Sequence, residues 1–370
     1  MKNIMRMAAI GTIAVLALSA CGAAPEDTET TPAGDETSAA PTAEAIDFKA
    51  CIVSDAGGFD DKSFNQLSWE GVKKAAEELG AGFGEVQSDS ATDFAPNLES
   101  LVGESCNLIT SVGFALSADT VASALANPDI EYVLIDDAAD NDFNGEKDAE
   151  NIKPLLYDTA QAAFLAGYLS AGYSKTGVIG TFGGAPYPTV TIFMDGFKQG
   201  AEYYNEVNGT NVQVVGFDGG DQGLFTGGFE ANDQAKGIAQ QILDQGADVI
   251  LPVGGPIYQS AIAAIQDSGK DIALIGVDAD VFESDPTTQP YILTSIQKKM
   301  DVSAYEAVMA AGQGDFDPAA YVGTLENGGV DIAPLHNFES KVDAALWTEV
   351  QALKQDIIDG KVTVTSYLAQ

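Results

Sequence analysis

The chain has little of what metal chemistry or nucleic-acid binding requires. It contains one histidine and three cysteines, and its 17 basic residues face 55 acidic ones, which gives a formal net charge of −38. Zinc sites need clustered His and Cys ligands, and binding to phosphates depends on Lys and Arg. We therefore expect no metal, no cofactor and no nucleic-acid partner. Beyond residue 21 the sequence also lacks any run of about 18 uncharged apolar residues, so nothing further is expected to span a membrane.

The first 21 residues are typical of an export signal. Lys2 and Arg6 precede an apolar run over residues 7–18, which is shorter than the ~20 residues of a membrane helix and suits a secretory signal peptide. The run ends in Leu-Ser-Ala-Cys, which matches the bacterial lipobox. We predict a signal peptide over residues 1–20 and a lipid on Cys21, which would hold the protein on the outer face of the cell membrane by lipid alone.

The next segment is predicted to be a disordered acidic linker that ends at residue 46. Residues 22–46 contain no aromatic and no basic residue, so they cannot bury enough apolar surface to offset the entropy cost of ordering. About 324 residues follow. That length exceeds the ~250 to 300 residues at which a single core stops growing, so two lobes are expected.

Short apolar runs alternate with amphipathic segments from residue 45 onward, which predicts two α/β lobes with doubly wound parallel sheets. The predicted strands are 48–53, 84–87, 108–112, 132–135, 177–181, 212–217, 248–252, 272–277 and 291–296. The predicted helices are 64–79, 96–102, 118–126, 160–173, 191–205, 232–245, 258–268, one that ends at 311, and 344–358. We assign 47–155 plus 296–320 to lobe 1 and 156–295 plus 321–370 to lobe 2, with a hinge near 155, 295 and 320.

Two cysteines remain for the folded part of the chain. Cys51 and Cys106 lie in or beside predicted strands. A disulfide can persist outside the cytoplasm, but two buried free thiols fit the sequence equally well, so both alternatives stay open.

Ligands of such sheets bind beyond the carboxyl ends of the strands, and glycines and carboxylates follow the predicted strands here. The most informative stretch runs from Asp55 to Gly71, with the sequence DAGGFDDKSFNQLSWEG. Asp61 or Ser63 is suited to cap the helix that starts here. Phe64 and Asn65 then fall in the first helical turn, at the mouth of a cleft between the lobes.

This stretch resembles the signature of the basic membrane protein family, the purine-nucleoside-binding lipoproteins of ABC transporters. Further blocks resemble the same family in order and at similar spacing. They are VLID at 133–136, DGFKQG at 195–200, GADVI at 246–250 followed by the glycine pair at 254–255, IGVDAD at 275–280 and LTSIQK at 293–298. The resemblance implies a type I periplasmic-binding-protein fold, with two lobes joined by three crossings of the chain.

The resemblance also implies a set of ligand-binding residues. The base would stack on Phe64, with carboxylates and an amide at its edge, and a carboxylate and a lysine would hold the ribose hydroxyls. The implied residues are Asp55, Phe64, Asn65, Asp136, Leu251, Gly254, Asp278 and Lys298.

One of these positions departs from the family pattern. Leu251 matches a position where the family often has a second aromatic ring, and leucine covers a ring without quadrupole stacking. Phe114, Phe193 or Phe229 are candidates for the missing ring.

The expected function is capture of a nucleoside by a monomeric lipoprotein, which presents it to the permease and ATPase subunits of an ABC importer. An acidic cleft tolerates a neutral nucleoside and repels a nucleotide. Three alternatives remain: another small solute such as a sugar or signalling molecule on the same fold, a membrane-tethered ligand sensor, and a nucleoside hydrolase. The sequence lacks a nucleophile elbow, a metal cluster and a catalytic histidine, so we expect no enzyme.

Overall fold

Two six-stranded sheets organise the chain. The computed structural model describes residues 46–368, so the predicted signal peptide, Cys21 and nearly all of the predicted linker lie outside the described residues. The strands are β1 (Lys49–Val53), β2 (Gly82–Val86), β3 (Leu108–Val112), β4 (Glu131–Ile135), β5 (Ile152–Tyr157), β6 (Val178–Gly183), β7 (Gln213–Val215), β8 (Phe217–Gly219), β9 (Gln222–Gly223), β10 (Val249–Val253), β11 (Ala273–Asp278), β12 (Ile292–Lys298), β13 (Tyr321–Gly323) and β14 (Val330–Ile332).

Helices cover the sheets. They are α1 (Phe64–Leu79), α2 (Phe94–Gly103), α3 (Ser117–Ala126), α4 (Thr159–Tyr173), α5 (Pro188–Asn208), α6 (Asp233–Asp244), α7 (Ile257–Ser268), α8 (Val281–Ser284), α9 (Met300–Gly312) and α10 (Ala344–Ile358). None of the helices within residues 46–368 combines the length and the apolar character that a membrane span needs.

Both sheets are doubly wound. The first has the strand order β13-β5-β4-β3-β1-β2 and is parallel throughout, while the second has the order β14-β12-β11-β10-β6-β7 and is parallel except for β14. Strands such as β3, β10 and β11 are buried along their whole length, as expected for parallel strands covered on both faces. The predicted α/β fold class is confirmed.

Most predicted elements are present, and the differences have local causes. The strand predicted over 212–217 stops at Val215, because Gly216 has a φ of 89° and turns the chain into the β8–β9 hairpin. Strand β5 was not predicted, since it contains Pro154 and proline is unusual inside a sheet. The three-residue strands β13 and β14 were also missed, because they are too short to show a hydrophobic period.

The described chain passes between the sheets after β5, after β12 and after β13. The predicted lobe boundaries need correction, because backbone pairing carries the strands past them. Residues 296–298 were assigned to lobe 1 but belong to β12, which pairs with β11 and β14 in the second sheet. Residues 321–323 were assigned to lobe 2 but pair with β5 in the first sheet. Motion of the two lobes about these crossings remains a prediction.

A disulfide joins Cys51 to Cys106, 55 positions apart in the sequence. Cys51 lies in β1 and Cys106 just before β3, and both are buried. The bridge therefore links β1 to the start of β3. Of the two alternatives that the sequence left open, the disulfide is the one present in the structure.

Replacing both cysteines by alanine is expected to lower the free energy of unfolding by about 2 to 4 kcal/mol, because the bridge restricts the unfolded chain. Urea unfolding of the oxidised protein and of the double variant measures this difference. Neither cysteine lines the cavity between the sheets, so ligand affinity of the folded variant should not change. Equal unfolding midpoints would contradict the prediction.

Candidate functional site

A cavity of about 220 Å³ lies between the carboxyl ends of the two sheets. Elements of both sheets contribute to its wall, as expected for a doubly wound fold. Seven of the eight predicted residues line it: Asp55, Phe64, Asn65, Asp136, Gly254, Asp278 and Lys298. The structure places these residues around one cavity, and their contact with a ligand remains a prediction.

Leu251 is not at the cavity wall. It lies inside β10, is fully buried in the core, and its carbonyl accepts a hydrogen bond from Thr181 Oγ1 at 2.9 Å. Strand β10 continues to Val253, so only Val253 and the residues after it reach the edge of the sheet. The structure therefore brings seven of the predicted residues to the cavity wall and leaves Leu251 in the core behind it.

The aromatic rings of the wall come from other positions. Phe114, Phe193 and Phe229, the three candidates from the sequence, all line the cavity, and so does Tyr187, which was not foreseen. The Phe114 and Tyr187 rings stack across the cleft with centroids 5.0 Å apart, and Tyr187 and Phe229 are 6.0 Å apart. No pattern in the sequence singles out Tyr187, since it lies in an irregular segment just before α5.

Phe229 depends on glycine at the ends of two strands. A Cβ atom at Gly254 would lie 2.7 Å from a Phe229 ring atom, and one at Gly184 only 2.3 Å from it. Because real Cβ atoms do not approach this closely, these two glycines make the space for the ring. This gives the glycine pair after β10 a physical role in shaping the cavity wall.

The N-terminal tip of α1 holds a buried carboxylate, that of Asp61. Asp61 accepts hydrogen bonds from the backbone N–H groups of Ser63, Asn65 and Gln66 at 2.9, 2.8 and 3.1 Å. Of the two predicted capping residues, Asp61 therefore satisfies the free N–H groups of the helix. Its negative charge is also favourable at a helix N-terminus.

Asn65 fixes Asp55 at the edge of the cavity. The Asn65 amide nitrogen donates to Asp55 Oδ1 at 2.7 Å, and its Oδ1 accepts from the Asp55 backbone N–H at 3.2 Å. Burial raises the pKa of Asp55 to about 6, although the hydrogen bonds from Asn65 and Gly57 lower it. Asp55 therefore changes charge close to neutral pH.

Lys298 bridges two carboxylates that belong to different sheets. Its Nζ lies 2.5 Å from Asp136 Oδ2 and 3.5 Å from Asp278 Oδ1, and all three side chains are at least nine-tenths buried. Burial alone would lower the pKa of Lys298, but the two carboxylates outweigh it and raise the pKa. Lys298 also lies 4.8 Å from the centre of the Phe64 ring.

Asp136 and Asp278 occupy corresponding places in the two lobes. Asp136 follows β4 and Asp278 ends β11, and both have left-handed backbones with φ of 67° and 65°. Aspartate tolerates this conformation better than most residues, and strained residues of this kind cluster at functional sites. Burial raises the pKa of Asp278 to about 6, against the lowering effect of Lys298.

The cavity carries an excess of acidic groups. Four aspartates line it, at positions 55, 61, 136 and 278, and Lys298 is the one basic residue among the described residues of its wall. That wall contains no histidine, serine or cysteine in the described part of the chain. The arrangement suits a neutral ligand with an aromatic face and several hydrogen-bond donors.

One group of carboxylates outside the cleft has the spacing of possible metal ligands. Asp140, Asp142 and Asp148 lie in the loop after β4, with carboxylate oxygens within 4.8 Å of one another. The group is only partly buried, and acidic clusters of this kind are common on so acidic a surface.

Two lobes of parallel sheet that face each other over an aromatic and acidic cleft define a solute-binding protein with a type I periplasmic-binding fold. Among solved structures, the fold is similar to a solute-binding protein of an ABC transporter system from Aeropyrum pernix K1. The TM-score is 0.76 and the sequence identity 25%, over 87% of this chain and 94% of that one.

The sequence model of the Bmp family, described as "ABC transporter substrate-binding protein PnrA-like", matches residues 48–365, and the chain belongs to this family. It is 30% identical to the ABC transporter nucleoside-binding protein BmpA of Lactococcus lactis subsp. cremoris, over 86% of this chain and 90% of that protein. It is 31% identical to basic membrane protein A of Borreliella burgdorferi, over 63% of each chain. The resemblance drawn from the sequence is confirmed, and the chain is a substrate-binding protein of an ABC transporter and not an enzyme.

Proposed function

We propose that the protein binds a purine nucleoside between its lobes and delivers it to the permease of an ABC importer. The observation that carries this proposal is the combination, in one cavity, of a wall of aromatic rings with the Asp136–Lys298–Asp278 bridge. The Lactococcus lactis relative, which shares 30% of its residues, is described as a nucleoside-binding protein.

The two parts of the cavity suit the two parts of a nucleoside. Phe64 offers a ring face to the base, and Asp55 and Asn65 offer acceptors and a donor to its edge. Asp278 can accept hydrogen bonds from neighbouring sugar hydroxyls, and Lys298 can donate one to a sugar oxygen. We therefore assign the base to the Phe64 end of the cavity and the ribose to the Asp278 end.

The charge of the cavity favours a nucleoside over a nucleotide. A phosphate would enter a wall of four aspartates and one lysine, where like charges in a low dielectric repel strongly. A neutral nucleoside brings several donors and no negative charge. This agrees with the electrostatic expectation from the sequence.

Delivery to a permease is proposed to depend on the N-terminal segment. A lipid on Cys21 and an acidic tether would keep a monomeric binding protein at the outer face of the membrane while leaving its lobes free to close and dock. Labelling cells that express the protein with a palmitate analogue tests the lipid anchor. A Cys21→Ala variant should carry no label and should no longer be recovered in the membrane fraction.

Thermal-shift screening of the full folded domain against purine and pyrimidine nucleosides, free sugars and nucleoside monophosphates tests the ligand assignment. A ligand at about 100 times its Kd stabilises the folded state by about 2.7 kcal/mol, which raises the melting temperature by several degrees. We expect this shift with at least one purine nucleoside. A shift with a sugar and none with any nucleoside would overturn the assignment in favour of another solute on the same fold.

Replacing Phe64 by leucine is expected to weaken nucleoside binding by about 1 to 3 kcal/mol, the range found for base stacking on aromatic side chains. Leucine keeps apolar contact but removes the ring face. Calorimetry measures the difference. Phe59→Leu is the matched control, because Phe59 lies in the loop that leads into α1, stacks on Trp69 at 6.3 Å and does not line the cavity. Equal losses in both variants would contradict stacking on Phe64.

A further inference from the structure

The two lobes touch directly behind the wall of the cavity. Ser63, the residue before α1, is fully buried, and its Oγ lies 3.0 Å from the carbonyl oxygen of Val277 and 3.2 Å from Asp278 Oδ2. Close by, Ser284 Oγ donates to the carbonyl oxygen of Lys62 at 2.7 Å. These contacts of Ser63 and Ser284 connect elements of the first lobe to elements of the second, so they exist only when the lobes are together.

The Ser63 hydroxyl is not used to cap its own helix. A serine at the position before a helix normally accepts a hydrogen bond from the first turn, but Ser63 makes no such bond. Asp61 satisfies those N–H groups instead. The Ser63 hydroxyl is therefore available for the opposite lobe, and it reaches Asp278 from the side away from the cavity, whose wall does not include Ser63.

We propose that Ser63 is a positioning residue that couples closure of the lobes to solute recognition, because its hydroxyl orients the Asp278 carboxylate in the closed form. The inference rests on the proposed function, in which Asp278 accepts the sugar hydroxyls. Lys298 faces Asp278 Oδ1 at 3.5 Å, and the Ser63 hydroxyl faces Oδ2, with its single proton shared between that oxygen and the carbonyl oxygen of Val277. A carboxylate contacted on both oxygens is restricted in its rotation.

This coupling has an electrostatic consequence. The charged groups that face Asp278 are Lys298 on β12, Asp136 after β4 and Asp61 before α1, and burial together with the two aspartates opposes its ionised form. A hydrogen bond from Ser63 to the carboxylate favours the ionised form. Opening of the lobes removes this bond, so closure and the negative charge of Asp278 support each other.

Ser63→Ala and Ser284→Ala form a matched pair that tests the coupling. Each removes one serine hydroxyl from a contact between the lobes, but only Ser63 touches Asp278. Nucleoside affinity of both variants and of the wild type is measured by calorimetry from about pH 5 to about pH 8. Melting temperatures taken first confirm that both variants are folded.

Ser63→Ala is expected to weaken binding about ten-fold or more near pH 7, the range for loss of a hydrogen bond to a charged group. The pH below which affinity falls should also move upward, because the ionised carboxylate has lost a donor. Ser284→Ala should weaken binding less and leave that pH unchanged. This pattern distinguishes orientation of Asp278 from a general contribution to closure.

Two results would overturn the coupling: unchanged affinity in Ser63→Ala, or equal losses in both variants with the same pH profile. Failure of the proposed function looks different. If the proposed function is wrong, the wild type binds no nucleoside at any pH. If only the coupling is wrong, the wild type binds a nucleoside and Ser63→Ala binds it with the same affinity and pH dependence.

Discussion

Replacing Lys298 by methionine is expected to lower the free energy of unfolding by about 3 to 5 kcal/mol at neutral pH. Methionine fills similar space but leaves Asp136 and Asp278 without their cation, and breaking a buried ion pair from one side costs about this much. The two carboxylates lie on different lobes, so the variant should also favour separation of the lobes. Urea unfolding measures the first effect, and small-angle X-ray scattering the second.

The pH dependence of this loss follows from linkage. Without Lys298 the two buried carboxyls hold protons more tightly in the folded than in the unfolded protein, so the variant loses stability as the pH rises. The difference between variant and wild type should therefore be larger at about pH 8 than at about pH 5. In the wild type, the contribution of Lys298 is present at both values, because its raised pKa keeps it charged.

Lys299→Met is the matched control for this experiment. Lys299 is the next residue, is partly exposed, and forms no ion pair within 4.0 Å among the side chains of residues 46–368. It should change stability by less than about 0.5 kcal/mol, as surface substitutions usually do. An equal loss in both variants would show that the bridge between Asp136 and Asp278 does not carry the effect.

Replacing Asp278 by asparagine is expected to weaken nucleoside binding by about 2 to 5 kcal/mol, the range for removing one partner of a buried hydrogen-bonded charge. Asparagine has nearly the same volume and tolerates the left-handed backbone of this position, so the change removes the charge without altering the shape of the side chain. An amide also offers one acceptor oxygen where the carboxylate offers two. Calorimetry of wild type and variant measures the loss.

The wild type should bind less tightly as the pH falls below about 6. The pKa of Asp278 is raised to about 6 by burial, so a lower pH protonates the carboxylate and removes acceptor capacity. Asp278→Asn should flatten this dependence but not abolish it, since the pKa of Asp55 is also about 6. If the Asp278→Asn variant binds the nucleoside as tightly as the wild type near pH 7, Asp278 does not bind the ribose.

Much of the fold was predictable because it depends on local pattern. The boundaries of α1, β3 and α10 agree with the predicted ones, since each has clear start and stop signals. The motif around Phe64 and Asn65 also lies at the cavity, because a strand end, a glycine turn and a helix start are encoded within a few residues.

The parts that were missed depend on residues far apart in the sequence. The register of β10 decides that Val253 and not Leu251 reaches the cavity. Tyr187 lies in the wall where Phe114 of the other lobe stacks on it, a contact between residues 73 positions apart. Asp136, the nearer partner of Lys298, likewise comes from the other sheet, so no local pattern could pair the two.

Calorimetric titration of one nucleoside beside its 5′-monophosphate and free ribose tests most directly whether a neutral purine nucleoside is the ligand of the cleft. We predict that the nucleoside identified by thermal shift binds with a Kd of about 1 μM or less, equivalent to about −8 kcal/mol. The monophosphate should bind at least about a hundred-fold more weakly, and ribose should give no measurable heat. Binding of the monophosphate or of ribose as tight as that of the nucleoside would contradict the account.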